Sequence, residues 1–228
     1  MKKRIKIVFK IEIETLFDNN GILSPRKMEK LSMICADLNN SGVSVLLVSS
    51  GAIALGTARL SLKQSPSDIT AKQAIAAVGQ AELIISYQDC FDHFDQTVAQ
   101  VLLTRDVIDN PLRNRNAKNT LARLLKQDII PVINENDSVS TNDIIMNDNY
   151  PLALIVASLT DADAIVVNTF DGEKFLLLFR NNSSIREAGI EELLDISTNI
   201  IGGRYETDHN IAGFPDFCQY AGMNPHVN

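Results

Sequence analysis

Apolar and polar positions alternate at the start of the chain. The apolar positions of this alternation are Ile5, Ile7, Phe9, Ile11 and Ile13. Charged residues fill most of the places between them, and a period of two is the period of a β-strand. The pattern predicts a first strand that is one-sided in its outer part. Ser24 and Pro25 then predict an N-cap and the first turn of a helix that ends near Asn39, with Gly42 close to its exit.

The rest of the first three quarters of the chain alternates between predicted strands and helices. Strands are predicted at 43–48, 98–103, 129–133 and 163–168, with 98–103 as a buried strand, and helices at 71–87, 114–126 and 151–159. The small residues from Ser49 to Ala54 predict a turn into a further helix, where a backbone can approach a ligand. This order predicts the α/β class, with a largely parallel sheet covered on both faces.

The pattern weakens after Gly172. A strand is predicted at 174–179 and a helix at 185–194, and the tail from Ile200 shows no clear period. Because no repeat and no low-complexity linker interrupts the chain, we expect a single domain over residues 1–228.

Composition and charge exclude several classes of partner. The 228 residues are 45% hydrophobic and 21% charged, and the formal net charge is −7. Nucleic acids and anionic membranes bind clustered Lys and Arg, so neither is expected as a partner. No apolar run approaches the roughly 20 residues of a membrane span. Three separated cysteines predict neither disulfides nor structural zinc, which favours the cytoplasm.

A dense polar cluster follows the apolar residues Ile129–Ile133. Asn134, Glu135, Asn136 and Asp137 place four amide or carboxylate side chains in a row at the end of a predicted strand. Ligands of open α/β sheets bind at such strand ends, which favours a pocket for a polar small molecule. An Asx-rich turn that fixes a loop is the alternative, and the cluster alone does not exclude it.

Four motifs in register identify a family resemblance. They are Ser49–Ile53, Lys72–Gln80, Leu102–Thr104 and Pro131–Asp137. In this order and at these separations they resemble the glutamate 5-kinase family, a branch of the amino acid kinase family, over about residues 5–169. The resemblance implies a three-layer α/β/α sandwich around a mainly parallel sheet. It also implies ATP-dependent phosphorylation of the γ-carboxylate of L-glutamate, the first step of proline biosynthesis, with ATP and Mg²⁺.

The same resemblance implies roles for individual residues. Glutamate would be bound by Ser50, Gly51, Ala52, Asp137 and Asn149. Lys10 and Asp148 would be catalytic, and Lys10, Thr169 and Phe170 would contact the nucleotide. Taken without the resemblance, Lys10 is a solvated charge on an amphipathic strand. Proline as a feedback inhibitor and assembly into a homo-oligomer are further expectations, and no protein-bound metal site is expected.

The nucleotide half departs from the family pattern. Glu12 and Ile13 stand where the family has a Gly-Thr or Gly-Ser turn, and Tyr150 stands where it has an aspartate that organises the catalytic lysines. No lysine follows Gly202, although the family's second phosphate-binding lysine lies in that region, where this chain has Arg204. The part from about residue 176 is divergent, and no appended C-terminal domain is expected.

Two hypotheses of different classes follow from these matches and departures. The first is a kinase that phosphorylates glutamate. The second is a catalytically impaired or inactive relative that binds glutamate or proline and acts as a regulatory or partner subunit. A relative acting on another carboxylate or phosphate is a third, which the segments Lys72–Gln80 and Asn134–Asp137 argue against.

Overall fold

The computed structural model describes residues 4–18, 22–141, 149–168, 174–179 and 185–189. In chain order the elements are β1 (Lys6–Ile11), α1 (Pro25–Asn40), β2 (Ser44–Ser49), α2 (Ala52–Arg59), α3 (Ile69–Asp92), β3 (Val98–Leu103), α4 (Pro111–Lys126), β4 (Ile130–Glu135), α5 (Tyr150–Thr160), β5 (Ala164–Asn168), β6 (Lys174–Phe179) and β7 (Ile185–Gly189). Short 3₁₀ helices follow β1 and β3, at Ile13–Leu16 and Arg105–Ile108.

The strands of the described residues form one seven-stranded sheet in the order β3-β4-β2-β1-β5-β6-β7. Strands β1 to β5 pair in parallel, and β6 and β7 are antiparallel additions next to β5. The prediction of an α/β fold with a largely parallel sheet is confirmed. The chain places β2, β3 and β4 on one side of β1 and then crosses to the other side to form β5.

Strand β1 is more deeply buried than the sequence predicts. It lies between β2 and β5 and ends at Ile11, and its residues from Ile7 onward are buried. The prediction of a one-sided strand that runs on to Ile13 is therefore wrong. Both faces of a central parallel strand are covered by helices, so the charged positions of the alternation do not mark a solvent face.

Alternate residues of each strand enter two separate cores. Ile7 and Phe9 pack with residues of α1 and α3 on one face, whereas Val8 packs with residues of α4 and α5 on the other. The same division holds for Leu47 and Val48 of β2. This period of two also fixes the direction of the polar residues at the strand ends.

Helices α2 and α3 cross with their backbones in contact. A Cβ atom on Gly79 of α3 would lie 1.7 Å from the carbonyl oxygen of Ala52, and one on Gly56 of α2 would lie 2.1 Å from the carbonyl oxygen of Ile75. Both positions therefore exclude any side chain. The contact holds the first turn of α2 against the middle of α3.

The end of the described chain and the free edge of the sheet differ from the predictions. Residues 185–189 form β7, which pairs with β6 from Leu178↔Ile185 to Lys174↔Gly189, so the helix predicted at 185–194 is wrong there. Strand β3 is an edge strand with Gln100 and Leu102 exposed, and not a fully buried one. Among the described residues, no helix combines the length and apolarity that a membrane span requires.

Candidate active site

Polar residues gather where β1, β2 and β4 end. These strands are neighbours in the order β4-β2-β1, and the register pairs Lys10 with Val48 and Val48 with Ile133. Ser50 comes two residues after Val48, and Glu135 comes two residues after Ile133. The two residues therefore lie at the same level of the sheet. The change of direction in strand order beside β1 makes this edge the expected ligand site of an open α/β sheet.

The short segment after β2 bends the chain sharply into α2. Gly51 is the N-cap of α2 with a φ of 105°, a left-handed conformation that favours glycine. The amide of Ser50 donates to the carbonyl oxygen of Ile11 at 3.4 Å. Because α2 has no side-chain cap within the described residues, its first amides and its dipole are suited to an anionic group.

A chain of amide side chains connects α5, β4 and α3. Asn149 donates from Nδ2 to Oδ1 of Asn134 at 3.2 Å, and Asn134 donates from Nδ2 to Oε1 of Gln80 at 2.8 Å. Gln73 donates from Nε2 to the carbonyl oxygen of Asp137 at 2.9 Å. These bonds hold the loop after β4 against α3 and the start of α5.

Two acidic residues, one at the end of β4 and one in the loop after it, are buried where the strands end. Glu135 is 1% exposed, and one of its carboxylate oxygens lies 3.9 Å from Nε of Arg105. Asp137 is 9% exposed, and burial, followed by the negative charge of Glu135, raises the pKa of Asp137 from 3.8 to about 6. The Asp137 carboxylate is therefore costly to ionise without a cationic partner.

Several buried polar atoms at this edge have no hydrogen-bond partner among the described residues. They are Oδ1 of Asp137, Oδ1 of Asn149, Nε2 of Gln80 and both carboxylate oxygens of Glu135. Buried polar groups are normally satisfied, so such a cluster is typical of a site for a polar ligand. The group offers acceptors for a cation and a donor for an anion, which matches a zwitterion.

Lys10 lies within β1, one level further into the sheet than Ser50 and Glu135. It is 2% exposed and forms an ion pair with Glu12, which follows β1. Residues two apart on an extended chain point to the same face, which explains the pair. The alternative prediction of a solvated Lys10 is wrong.

The opposite end of the sheet, where the parallel strands begin, carries a different polar network. A cavity of about 350 Å³ lies there, and Arg4, Asn39, Gln96 and Asp128 are among its lining residues. Arg4 donates to the carbonyl oxygens of Gly42 and Asn39 and pairs with Asp128. These bonds tie together chain segments where the strands begin, so the network has a structural role.

A model of the Amino acid kinase family matches residues 14–172, well over half of the chain. The chain belongs to the amino acid kinase family.

Relatives with the name glutamate 5-kinase match this amino acid kinase domain closely. The protein from Listeria welshimeri is 44% identical over 171 residues, which cover 73% of this chain and 62% of the relative. The protein from Clostridium perfringens is 43% identical over 73% of this chain and 64% of its own length. The protein from Caldanaerobacter subterraneus is 41% identical over 87% of this chain and 54% of its own length. The chain thus spans less than two thirds of these relatives.

The residues that the resemblance assigns to the amino acid kinase site fall into two groups. Ser50, Gly51, Ala52, Asp137 and Asn149 lie at or beside the ends of the neighbouring strands or are hydrogen-bonded to them, and Lys10 lies one level below. Asp148, Thr169 and Phe170 lie outside the described residues, as does the segment 202–207 with Arg204.

Sequence reasoning did not single out Gln73, Gln80, Asn134, Glu135 or Arg105 as individual site residues. A signal was present for the glutamines, since Gln73 and Gln80 are seven residues apart and share one face of α3. Strand parity also predicts that Asn134 and Glu135 point to opposite faces, and they contact Gln80 and Arg105 respectively. Arg105 carried no comparable signal.

Tyr150 is a core residue at the position where the resemblance places an aspartate. It is the first residue of α5, is 4% exposed and packs in the core between the sheet and α4 and α5. Its side chain therefore contributes to stability at a position where the family pattern has a carboxylate.

Proposed function

We propose that this chain binds L-glutamate at the edge formed by β1, β2 and β4 and phosphorylates its γ-carboxylate with Mg²⁺-ATP. The observation that carries the proposal is the cluster of unsatisfied buried polar atoms around Asp137, Asn149 and Gln80. Gln80 follows Gly79, whose backbone contacts Ala52 in the first turn of α2, and the chain belongs to the amino acid kinase family. The relatives named glutamate 5-kinase support this substrate.

Each charged group of glutamate has a chemically matched partner in this arrangement. The ammonium would contact Asp137 Oδ1 and Asn149 Oδ1, which both accept hydrogen bonds. A carboxylate would contact Gln80 Nε2, Ser50 and the first amides of α2. An ammonium next to Asp137 would also offset the cost of ionising that carboxyl in a buried position.

Phosphoryl transfer depends on positioning and on neutralisation of charge. A γ-carboxylate oxygen would form the new bond to the γ-phosphorus of ATP while the bond to the bridging oxygen breaks, and ADP leaves. Among the described residues, Lys10 near the end of β1 is the cation that would neutralise the charge of the transferred phosphoryl group. Mg²⁺ is usually held by one or two carboxylates together with substrate phosphates, and Asp148 is the proposed carboxylate.

Several related expectations stay predictions. They are the nucleotide contacts of Thr169 and Phe170, inhibition by proline, a homo-oligomer and a cytoplasmic location. The relatives give no support to the alternative of an inactive partner subunit, because they carry the name of the enzyme.

Calorimetric titration with L-glutamate and separately with Mg²⁺-ATP, followed by an assay of ADP release, tests the proposal. Asp137→Asn should weaken glutamate binding by about tenfold or more, because a charge-assisted hydrogen bond contributes about 1.5–3 kcal/mol. Asp92→Asn is the matched control, since Asp92 is exposed at the far end of α3.

Absence of glutamate binding to the unaltered chain would refute the proposed substrate. Glutamate binding without ADP release at saturating Mg²⁺-ATP would refute the catalytic part and leave a glutamate-binding relative. An equal loss of affinity in the Asp137 and Asp92 variants would show that Asp137 has no specific role.

A further inference from the structure

The ion pair between Lys10 and Glu12 joins a buried cation to a partly exposed anion. Only 3% of the Lys10 side chain is exposed, whereas 30% of the Glu12 side chain is exposed. The Lys10 ammonium can therefore not exchange its partner for bulk water, but it can exchange it for another anion that enters from the strand ends. Glu12 directly follows the end of β1 and is the more exposed member of the pair.

The backbone of Glu12 is held in place. Its carbonyl oxygen accepts from the amide of Thr15 at 3.0 Å and from the Thr15 hydroxyl at 2.6 Å. Release of Lys10 must consequently come from rotation of the Glu12 side chain and not from movement of the chain. The exposed side of the Glu12 carboxylate gives it room to turn toward solvent.

Charges on the same edge oppose an incoming polyphosphate. Glu12, Glu135 and Asp137 provide three carboxylates, and among the described residues Lys10 pairs with Glu12 and Arg105 lies beside Glu135. Arg105 lies against Glu135 on the face shared with α4, so it is already engaged. The ammonium of Lys10 is thus the cation for which a phosphate would have to compete with Glu12.

We propose that Glu12 is a built-in counterion that occupies the phosphate position on Lys10 and thereby sets the nucleotide affinity of the site. Mg²⁺-ATP then binds only when the Glu12 carboxylate turns away from Lys10, while the glutamate subsite around Asp137 is unaffected. The role of Lys10 in this inference rests on the proposed function.

A double-mutant cycle separates this competition from simple repulsion between Glu12 and the nucleotide. Glu12→Gln keeps the size of the side chain and removes its charge. We expect Mg²⁺-ATP to bind about tenfold tighter or more to this variant, a change of about 1.4 kcal/mol. In a Lys10→Met background the same substitution should change the affinity by less than about threefold, since no cation remains to be released.

Equal gains with and without Lys10 would overturn the proposal, because they would show repulsion through space. An unchanged nucleotide affinity in Glu12→Gln would overturn it as well. Glu29→Gln is the matched control, because Glu29 is exposed on α1 and the substitution alters the net charge equally. Glu12→Ala repeats the test with another side chain in case one variant does not fold.

Glutamate titration of each variant distinguishes this inference from the proposed function. Unchanged glutamate binding together with tighter nucleotide binding supports both. Tighter nucleotide binding in a chain that never binds glutamate refutes the substrate and leaves the counterion role in place. Unchanged glutamate binding with no gain in nucleotide affinity refutes the counterion role alone.

Discussion

Single polar residues at the strand ends are buried at a cost in stability. Asp137 is buried, and the nearby charge of Glu135 adds to the cost of ionising it. An acid whose pKa is raised by folding binds its proton more tightly in the native state than in the unfolded chain. Its ionised form therefore destabilises the fold, an effect that is absent below the unfolded pKa and complete above the folded one.

Asp137→Asn should stabilise the ligand-free protein at neutral pH. Because the pKa of Asp137 rises from 3.8 to about 6 on folding, the uncharged amide avoids a cost that is present above that range. This rise of the pKa corresponds to about 3 kcal/mol. Because solvent screens part of this cost, we expect the free energy of unfolding to rise by about 2 kcal/mol near pH 8 and by about a third of that near pH 4.5. Urea denaturation at both pH values measures the difference, and Asp92→Asn is the control. A gain independent of pH would contradict this account.

The sequence predicted the type of these residues better than their surroundings. The row from Asn134 to Asp137 predicted a polar site, and strand parity determines that Asn134 and Glu135 face opposite ways. Burial of Lys10 could not be predicted from its neighbours, because it depends on β5 as a partner of β1. That partner lies far away in the sequence.

At the scale of elements, the position of α2 depends on its contact with α3. Glycines at positions 56 and 79 allow the two backbones to touch, and this contact fixes the turn at Gly51 that faces the site. Stability and ligand binding are therefore coupled through a packing contact that lies outside the site itself.

Gly79→Ala should destabilise the protein although alanine favours helices. The new Cβ would lie 1.7 Å from the Ala52 carbonyl oxygen and 2.4 Å from the Gly56 amide nitrogen, so α2 must move away. We expect a net loss of about 2 kcal/mol in the free energy of unfolding, even after the helix-propensity gain of about 1 kcal/mol.

Thermal unfolding and glutamate titration measure both consequences of Gly79→Ala. Glutamate affinity should fall too, because Ala52 belongs to the first turn of α2. Ala77→Ser, which also adds one heavy atom but on the exposed side of α3, should leave both quantities nearly unchanged. An unaltered or higher stability of Gly79→Ala would show that α2 can shift at no cost.

The start of α1 has a strong local signal and was predicted, whereas β7 is determined by pairing and was not. Ser24 and Pro25 predicted the start of α1, and the Ser24 hydroxyl indeed accepts from the amide of Lys27. Residues 185–189 have no comparable signal, and their pairing with β6 outweighs preferences of a few tenths of a kcal/mol per residue. The crossing of α2 and α3 could likewise not be predicted, since a glycine in a helix does not indicate which helix packs against it.

At the scale of the whole molecule, the topology assembles one site from distant segments. Position 50 follows β2, positions 134–137 run from the end of β4 into the loop after it, position 149 precedes α5, and Gln80 comes from α3. A ligand that contacts all of them binds only the folded state. Binding should therefore stabilise the entire fold and not a local segment.

L-glutamate should raise the unfolding temperature in a manner that depends on pH. At a concentration about 100 times the dissociation constant, the stabilisation is about 2.7 kcal/mol, which raises the midpoint by roughly 5–10 °C for a chain of this size. Because the ammonium binds ionised Asp137, whose pKa is about 6, affinity should fall about tenfold near pH 5, and the stabilisation should shrink by about half. Thermal scans across this pH range measure the effect.

The Asp137→Asn variant gives the sharpest comparison for this prediction. Without ligand at neutral pH it should unfold at a higher temperature than the unaltered chain. With the same concentration of glutamate, its unfolding temperature should rise by about half as much as that of the unaltered chain, or less. Both results follow from one carboxylate that is costly to bury and useful only when a cation neutralises it. A ligand-free variant that is less stable than the unaltered chain would show that the buried carboxylate has no such cost, and a variant that responds to glutamate as the unaltered chain does would mean that the ammonium binds elsewhere.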